Sequence, residues 1–287
     1  MNQTIAVICY IILAPIIGGL LEGLDRKVSA RMQRRVGPPL LQPFYDVIKL
    51  MKKQVIVVSP AQTFALISYF ALMLLTGSMF FAGMDILLCF FVMSTAATFL
   101  YFAAVISSSP YATVGANREL IQMMAYEPAV LLSCVGFYLI EGTFNVGEIA
   151  FSKTTDIIYL PGFFVAFVFI LTIKMRKSPF DTSTSHHMHQ EIVKGLTTEM
   201  GAQNLAIFQV TEWYENVFLM GVIGLFIMNG TTTNIIIAVV VILLTYFLEI
   251  LIDNTSARMK TDMMLKLSWG VTLFSAGVNL LVLMLVR

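Results

Sequence analysis

Apolar runs of membrane-crossing length, joined by connections whose basic residues gather on alternate sides, constrain this chain more than any other feature. A helix needs about 20 predominantly apolar residues to cross a bilayer core. Such runs are read at Thr4–Leu24, Ala61–Ala82, Ile86–Ile106, Met123–Ile140, Ile157–Ile173, Leu205–Met228, Asn234–Ile252 and Leu265–Val286. The fourth follows the polar stretch Asn117–Glu127, and the fifth is short. Charged residues are 12% of the chain, against about 25% in soluble domains, which also favours lipid as the solvent. The expected fold is therefore all-α: an eight-helix transmembrane bundle forming one transmembrane domain over residues 1–287.

Orientation follows from Lys and Arg. The first connection carries Arg26, Lys27, Arg31, Arg34, Arg35, Lys49, Lys52 and Lys53. The third carries Arg118, the fifth Lys174, Arg176, Lys177 and Lys194, and the seventh Arg258 and Lys260, with Lys266 just beyond. Sixteen of the eighteen basic residues thus share one face, leaving only Lys153 and Arg287 opposite. The positive-inside rule makes that face cytoplasmic, and eight spans then put both termini outside. An odd number of spans would scatter the basic residues. The N-terminus has neither a basic leader nor a small-residue cleavage site, so its apolar run is expected to remain as a helix. Cytoplasmic connections are long and polar and outer ones mostly short, which points to a docking face; solvated loops are the plainer reading.

Between Leu40 and Val55 the pattern is amphipathic at helical spacing. Leu41, Phe44, Val47, Ile48 and Met51 share one arc, while Asp46, Lys49 and Lys53 share the opposite one. This predicts an interfacial helix in the first cytoplasmic loop, its entry angle fixed by Gly37, Pro38 and Pro39.

Acids inside spans are the next signal, since a charge at a helix centre costs about 2.5–3.5 kcal/mol on insertion scales. Glu127, Glu212, Glu215 and Glu249 are of this kind, with Glu141 and Asp253 near helix ends. Glu212 and Glu215 lie three apart and so face the same way, with Gln209 and Asn216 extending the stripe. Tyr246, Glu249 and Asp253 form a second stripe, and Arg118, Glu119, Gln122, Tyr126 and Glu127 a third before Pro128. No Lys or Arg is expected at mid-depth to neutralise these acids, so some should hold protons near neutrality and serve as a relay. The plainer alternative pairs Glu212 with a helix end or Arg118, as helix glue.

Other features read as packing. Cys9, Cys89 and Cys134 sit in apolar runs with no Cys-x-x-Cys spacing, so they are expected to be buried packing residues, not ligands of a cluster or zinc. Ser268, Thr272 and Ala276 recur every fourth residue as a small-residue face. The basic residues stand beside no nucleic-acid-binding motif.

Several motifs then carry a family resemblance. Asp25-Arg26-Lys27-Val28, Met32-Gln33-Arg34-Arg35-Val36-Gly37-Pro38, Leu41-Gln42-Pro43 and Asp46-Val47-Ile48-Lys49-Leu50 resemble the first cytoplasmic loop of the subunit 1 family of respiratory complex I, which bacteria and mitochondria share. Arg118 to Glu127 resembles that family's Arg-x-x-x-Gln-x-x-Ser-Tyr-Glu segment. Pro179-Phe180-Asp181, Gln190-Glu191, Thr198-Glu199 and Thr211-Glu212-Trp213 resemble its long later loop. The resemblance implies a membrane heel that anchors a hydrophilic redox arm and starts a chain of acids leading to antiporter-like subunits. It matches Glu127, Glu191, Glu199 and Glu212 to that chain or its entrance, and Asp46 and Asp181 to the junction with the arm.

The chain also departs from the complex I pattern. After Asp181 it reads Thr182-Ser183-Thr184-Ser185-His186-His187-Met188-His189-Gln190-Glu191, three residues longer and rich in histidine, and Lys174 stands where complex I has a Glu. This form resembles the membrane-anchor subunit of energy-converting [NiFe] hydrogenases of the formate hydrogenlyase and Ech types. That resemblance implies hydrogenase large and small subunits docked on the cytoplasmic side, near Arg34, Arg35, Asp46, Asp181, His186, His187, His189, Glu191 and Glu199. It further implies antiporter-like membrane partners, a prokaryotic cell (inner) membrane location, and a Ni–Fe centre and [4Fe–4S] clusters in partner subunits, with no cofactor in this chain. His186, His187 and His189 have the density of a metal site, or of a loop that contacts the arm. The resemblance leaves a quinone-chamber subunit of a complex I-type enzyme as the alternative.

Overall fold

In a computed structural model, residues 3–55, 59–152, 154–184 and 194–286 are described, and they are helical with no strand among them. In chain order the helices are α1 (Gln3–Met32), α2 (Gln42–Met51), α3 (Pro60–Phe81), α4 (Ile86–Val105), α5 (Pro110–Glu141), α6 (Val146–Ile149), α7 (Pro161–Lys174), α8 (Ala202–Leu225), α9 (Thr232–Thr255), α10 (Thr261–Val271) and α11 (Val278–Val286). A π-helical turn at Thr272–Gly277 joins α10 to α11 in one rod. Six of these units are long and apolar enough to cross a membrane: α1, α3, α4, α5, α9 and the Thr261–Leu285 rod. The fifth and sixth expected spans fall on α7, a 14-residue apolar helix, and on the 24-residue α8.

The helix bounds depart from the apolar runs in instructive ways. The first helix continues past Leu24 to Met32, so Asp25 and Arg26 lie on it and not in a loop. The fourth begins at Pro110, thirteen residues before its apolar run, because its polar first half is buried against protein. Pro128 does not break it, as expected where neighbouring groups can take up a freed carbonyl. The fifth starts at Pro161, since 156–158 form a separate 3₁₀ turn. Proline at the first helical position, where no backbone donor is needed, opens α3, α5 and α7. The amphipathic segment forms α2 over Gln42–Met51, shorter than the pattern at both ends.

Lipid tails are as apolar as leucine, so helices associate through close packing and polar contacts and not through water exclusion. Small residues provide the approach. A Cβ on Gly18 would overlap the Trp213 backbone of α8, and one on Gly77 would overlap the Tyr10 ring. The Ser268, Thr272 and Ala276 face is buried as its spacing predicts, and nearby Asn279 accepts the Gly162 N–H at 2.7 Å, tying α11 to α7. The central core is aromatic: Phe218 meets Phe80 and Phe90 edge-on at centroid distances of 5.3 and 5.6 Å. Cys89 and Cys134 are buried in this core, whereas Cys9 is exposed on α1, contrary to its expected burial. An apolar thiol on a lipid-exposed helix face needs no protein cover.

Two ends of the bundle are distinguished by their cross-links. At one end, Lys177 reaches Asp25, Ser178 binds Asp253, Arg258 pairs with Asp181, and Arg118 donates to Thr182. The basic connections therefore converge there. At the opposite end, Ile86 N–H donates to Phe144, Val146 N–H to Met84, and Ile157 N–H to Phe226.

Candidate functional site

The segment that leaves α7 places three cations in succession, Lys174, Arg176 and Lys177, beneath the basic end of the bundle. Each meets a carboxylate from another helix. Lys174 Nζ lies 2.6 Å from Glu215 of α8, and both side chains are nearly inaccessible. The other Glu215 oxygen accepts the Tyr69 hydroxyl from α3 at 3.1 Å, and Lys174 also sits 4.4 Å over the Tyr126 ring of α5. Arg176 joins two acids, Glu212 of α8 at 2.6 Å and Glu119 of α5 at 2.9 Å. A planar guanidinium with five donors suits such bridging, and it stays charged at any physiological pH. Lys177 Nζ lies 2.9 Å from Asp25 of α1, at an angle that makes the contact electrostatic and not a hydrogen bond.

These pairs border a cavity of about 300 Å³, walled by Glu22, Asp25, Lys174, Arg176, Lys177, Glu212 and Glu215, with Phe208, Trp213 and Tyr246 between them. Glu212 is the member of the Arg176 triad that opens toward solvent, its side chain 32% exposed against 6% for Glu119. Glu22 at the rim accepts from the Trp213 indole and from Arg26. Arg26 also donates to Asp46 at 2.6 Å, carrying the network onto α2. Asp46 lies outside the spans. Burial alone would raise its pKa, but hydrogen bonds from Arg26 and Gln42, with the charges of Arg26 and Lys49, hold it below the ordinary carboxylate range.

The expectation that no Lys or Arg would neutralise the buried acids is corrected by these contacts for Glu212 and Glu215. The neutralising cations stand at or just beyond the end of α7 in sequence but fold back between α5, α8 and α1. Glu212 pairs with Arg176 and not with Arg118, which donates instead to the Thr182 carbonyl at 3.3 Å.

Residues 4–284 match the family model described as NADH dehydrogenase. The chain belongs to the NADH dehydrogenase subunit 1 family. An NADH-quinone oxidoreductase subunit of Rhodospirillum rubrum is 27% identical to it, over 92% of this chain and 88% of the relative. NADH-ubiquinone oxidoreductase chain 1 of Dictyostelium citrinum is 31% identical, over 76% and 75%. Hydrogenase-4 component C of Escherichia coli is 26% identical, over 87% and 86%. A chain of the membrane-bound sulfane sulfur reductase, an archaeal respiratory membrane complex, superposes with a TM-score of 0.84 at 22% identity, covering 99% of this chain and 100% of that one; this likeness concerns the fold. The chain is thus a complex I-like, multi-pass membrane subunit of an oxidoreductase assembly.

Within this family member the expected site residues separate into groups. Glu212 and Glu215 line the cavity. Glu249 of α9 is fully buried, and its carboxylate oxygens meet no hydrogen-bond donor among the described residues. Asp253, one turn on, accepts the Ser178 N–H at 2.8 Å. Glu127 is half-buried on α5 and is not among the residues walling the cavity. Glu141 ends α5 at the opposite end of the bundle, apart from the cluster to which it was assigned. Of the junction residues, Arg34 and Arg35 are exposed, Asp181 pairs with Arg258 at 2.8 Å, and Glu199 borders a surface hollow it shares with Lys53 and Gln54. His186, His187, His189 and Glu191 lie outside the described residues. Among the described residues, no three His, Cys, Asp or Glu side chains are grouped to hold a metal ion.

Sequence reasoning missed Glu22, Arg176 and Lys177 as site residues, and used Glu119 only as part of a stretch. Glu22 was findable, since it lies inside the first apolar run where the cost argument applies equally. Arg176 and Lys177 gave no such signal, because cations after an apolar run read as a solvated helix end.

Proposed function

We propose that the chain is the non-redox membrane anchor of an energy-converting [NiFe] hydrogenase, with eight spans and both termini outside. Its basic end carries the hydrogenase large and small subunits, which hold the Ni–Fe centre and [4Fe–4S] clusters. Antiporter-like chains lie beside it in a prokaryotic inner membrane. Hydrogen evolution in the arm is coupled here to proton or sodium movement through buried carboxylates.

The observation that carries this reading is the charge-lined cavity at the basic end. Lys174, Arg176 and Lys177 each contact acids from other helices, so a change of charge or shape at the docking face is felt directly by Glu119, Glu212, Glu215 and Asp25. Glu212 is positioned as the exchanging member, because it is shared with Arg176 yet open to the cavity. Glu249 and Asp253 extend the acids along α9. The similarity to a hydrogenase component, and the His186–His189 insertion, support a hydrogenase arm.

A second reading, the quinone-chamber subunit of a complex I-type enzyme, draws on the similarity to quinone oxidoreductase subunits. The charged cavity walls suit water and ions better than an isoprenoid chain, which supports the first. Purification of the complex from native membranes with its subunits identified separates the two. Stoichiometric nickel is expected, and nickel-free complex with bound quinone would overturn the hydrogenase assignment. In vesicles, Glu212→Gln should preserve assembly while abolishing ion uptake coupled to hydrogen evolution. Undiminished uptake would refute the coupling role.

A further inference from the structure

The helix α2 has two apolar faces, and the bundle covers one of them. Pro43 is buried, and Phe44 meets the Trp213 ring of α8 at a centroid distance of 5.2 Å. Leu41, Tyr45, Ile48 and Met51 turn the other way and are 48%, 55%, 50% and 54% exposed. Their spacing of three and four residues sets them on one arc. Lys49, four after Tyr45, and Lys52, four after Ile48, stand on the same arc, with Lys53 at its edge; all three lysines are exposed. Asp46, the one acid of α2, is held away from them by Arg26 of α1, which donates to it at 2.6 Å.

The packing of α2 on α1 gives the depth of this arc. A Cβ on Gly19 would overlap the Phe44 ring, and one on Gly23 would overlap the Leu40 carbonyl. Both glycines lie in the apolar run that ends at Leu24. At 1.5 Å per residue, Phe44 therefore sits about 7 Å inside the end of that run, and Leu40 at its edge. Leu20 and Leu24, at the same level on α1, are also exposed. The outer arc of α2 thus continues the lipid-facing surface of α1 at the boundary between hydrocarbon and headgroups, the level at which basic amphipathic helices lie.

We propose that the outer arc of α2 binds anionic phospholipid, with Leu41, Tyr45, Ile48 and Met51 among the acyl chains and Lys49, Lys52 and Lys53 on the headgroup phosphates. Charge complementarity selects the lipid class: the arc carries three cations and no acid, and Glu199, across a hollow from Lys53, offsets one of them at most. The long lysine stems let the ammonium groups reach the headgroups while their methylenes stay beside the apolar residues. A protein partner fits less well, because lysine is depleted in the cores of protein interfaces. The first connection is thereby divided: exposed Arg34 and Arg35 remain free for the hydrophilic arm, while lipid holds the outer side of α2. This assignment does not depend on whether the arm is a hydrogenase or a quinone-linked enzyme.

The test is photo-crosslinking in the intact complex, reconstituted in vesicles of equal phosphatidylglycerol and phosphatidylcholine. The photoreactive residue p-benzoylphenylalanine is placed at Tyr45 or, as a control, at Phe91, which is exposed on α4 near the opposite end of the bundle. Adducts are identified by peptide mass. The probe at Tyr45 should give lipid adducts that favour phosphatidylglycerol by at least about fivefold, the factor one lysine contributes near an anionic surface. The probe at Phe91 should show no preference. Combining Lys49→Gln, Lys52→Gln and Lys53→Gln should bring the Tyr45 ratio to that of the control while the total lipid adduct stays unchanged. Crosslinks from Tyr45 to another protein chain would overturn the proposal in favour of a partner interface. It would equally be overturned by no adduct at Tyr45 where Phe91 reacts, by lipid adducts without class preference, or by a preference that survives loss of the three lysines.

Discussion

Replacing Lys174 by Met is the sharpest test of the buried network, because it removes a charge while keeping most of the side-chain volume. Lys174 and Glu215 are 2.6 Å apart with side chains 6% and 5% exposed, so Glu215 would be left without its counter-charge in a dry setting. Breaking such a pair from one side costs about 3–5 kcal/mol. At about 2 °C per kcal/mol, the apparent Tm should drop by roughly 6–10 °C. Thermal labelling of Cys89 and Cys134, both buried, reports unfolding of this chain inside the purified complex when read by peptide mass. The scan rate is held fixed because such unfolding is irreversible. Lys174→Met with Glu215→Gln should recover most of the loss, since Gln still accepts the Tyr69 hydroxyl. An unchanged Tm in the single variant, or no recovery in the double variant, would refute the paired-charge account.

Two further outcomes follow from the junction between α1 and α2. A Cβ at Gly23 would overlap the Leu40 carbonyl, a backbone atom that cannot rotate away; Gly23→Ala should destabilise by about 1–3 kcal/mol and raise hydrogen exchange in α2, whereas unchanged exchange would exclude this contact as the anchor. The folded pKa of Asp46 is depressed, so its contribution is present above the ordinary Asp value of about 3.9 and is lost as pH falls through the lower folded value. Exchange in α2, corrected for the intrinsic effect of pH, should therefore rise on acidification below about pH 4 in wild type. In Asp46→Asn it should already be high at neutral pH and change little.

The membrane class and the positions of the helices were legible because lipid imposes length and polarity on every span, and the runs at Ala61–Ala82 and Ile86–Ile106 match α3 and α4 within a residue or so. The first half of α5 was not legible as helix by the same rule. Its residues Arg118, Glu119 and Gln122 are polar because they meet protein: Gln122 donates to the Phe180 carbonyl at 2.5 Å, and Glu119 binds Arg176. Hydropathy reports what lipid will accept and says nothing of polar surface covered by another helix.

The acids were legible by cost, and their cations were not, which changes what the cluster can do. A relay of neutral buried acids would respond to solvent pH. Here Arg176 is shared between Glu119 and Glu212, while Lys174 is committed to Glu215, so three carboxylates face two cations within one packed group. Moving either cation by a few ångströms exposes one specific acid to full desolvation. Both cations stand at or beside the end of α7, on the stretch that continues as Ser178 to Asp181 and is held there by Asp253 and Arg258. A partner that pulls on that stretch therefore acts on the acids through displaced charge, and the coupling element is the short path from Lys174 to Asp181.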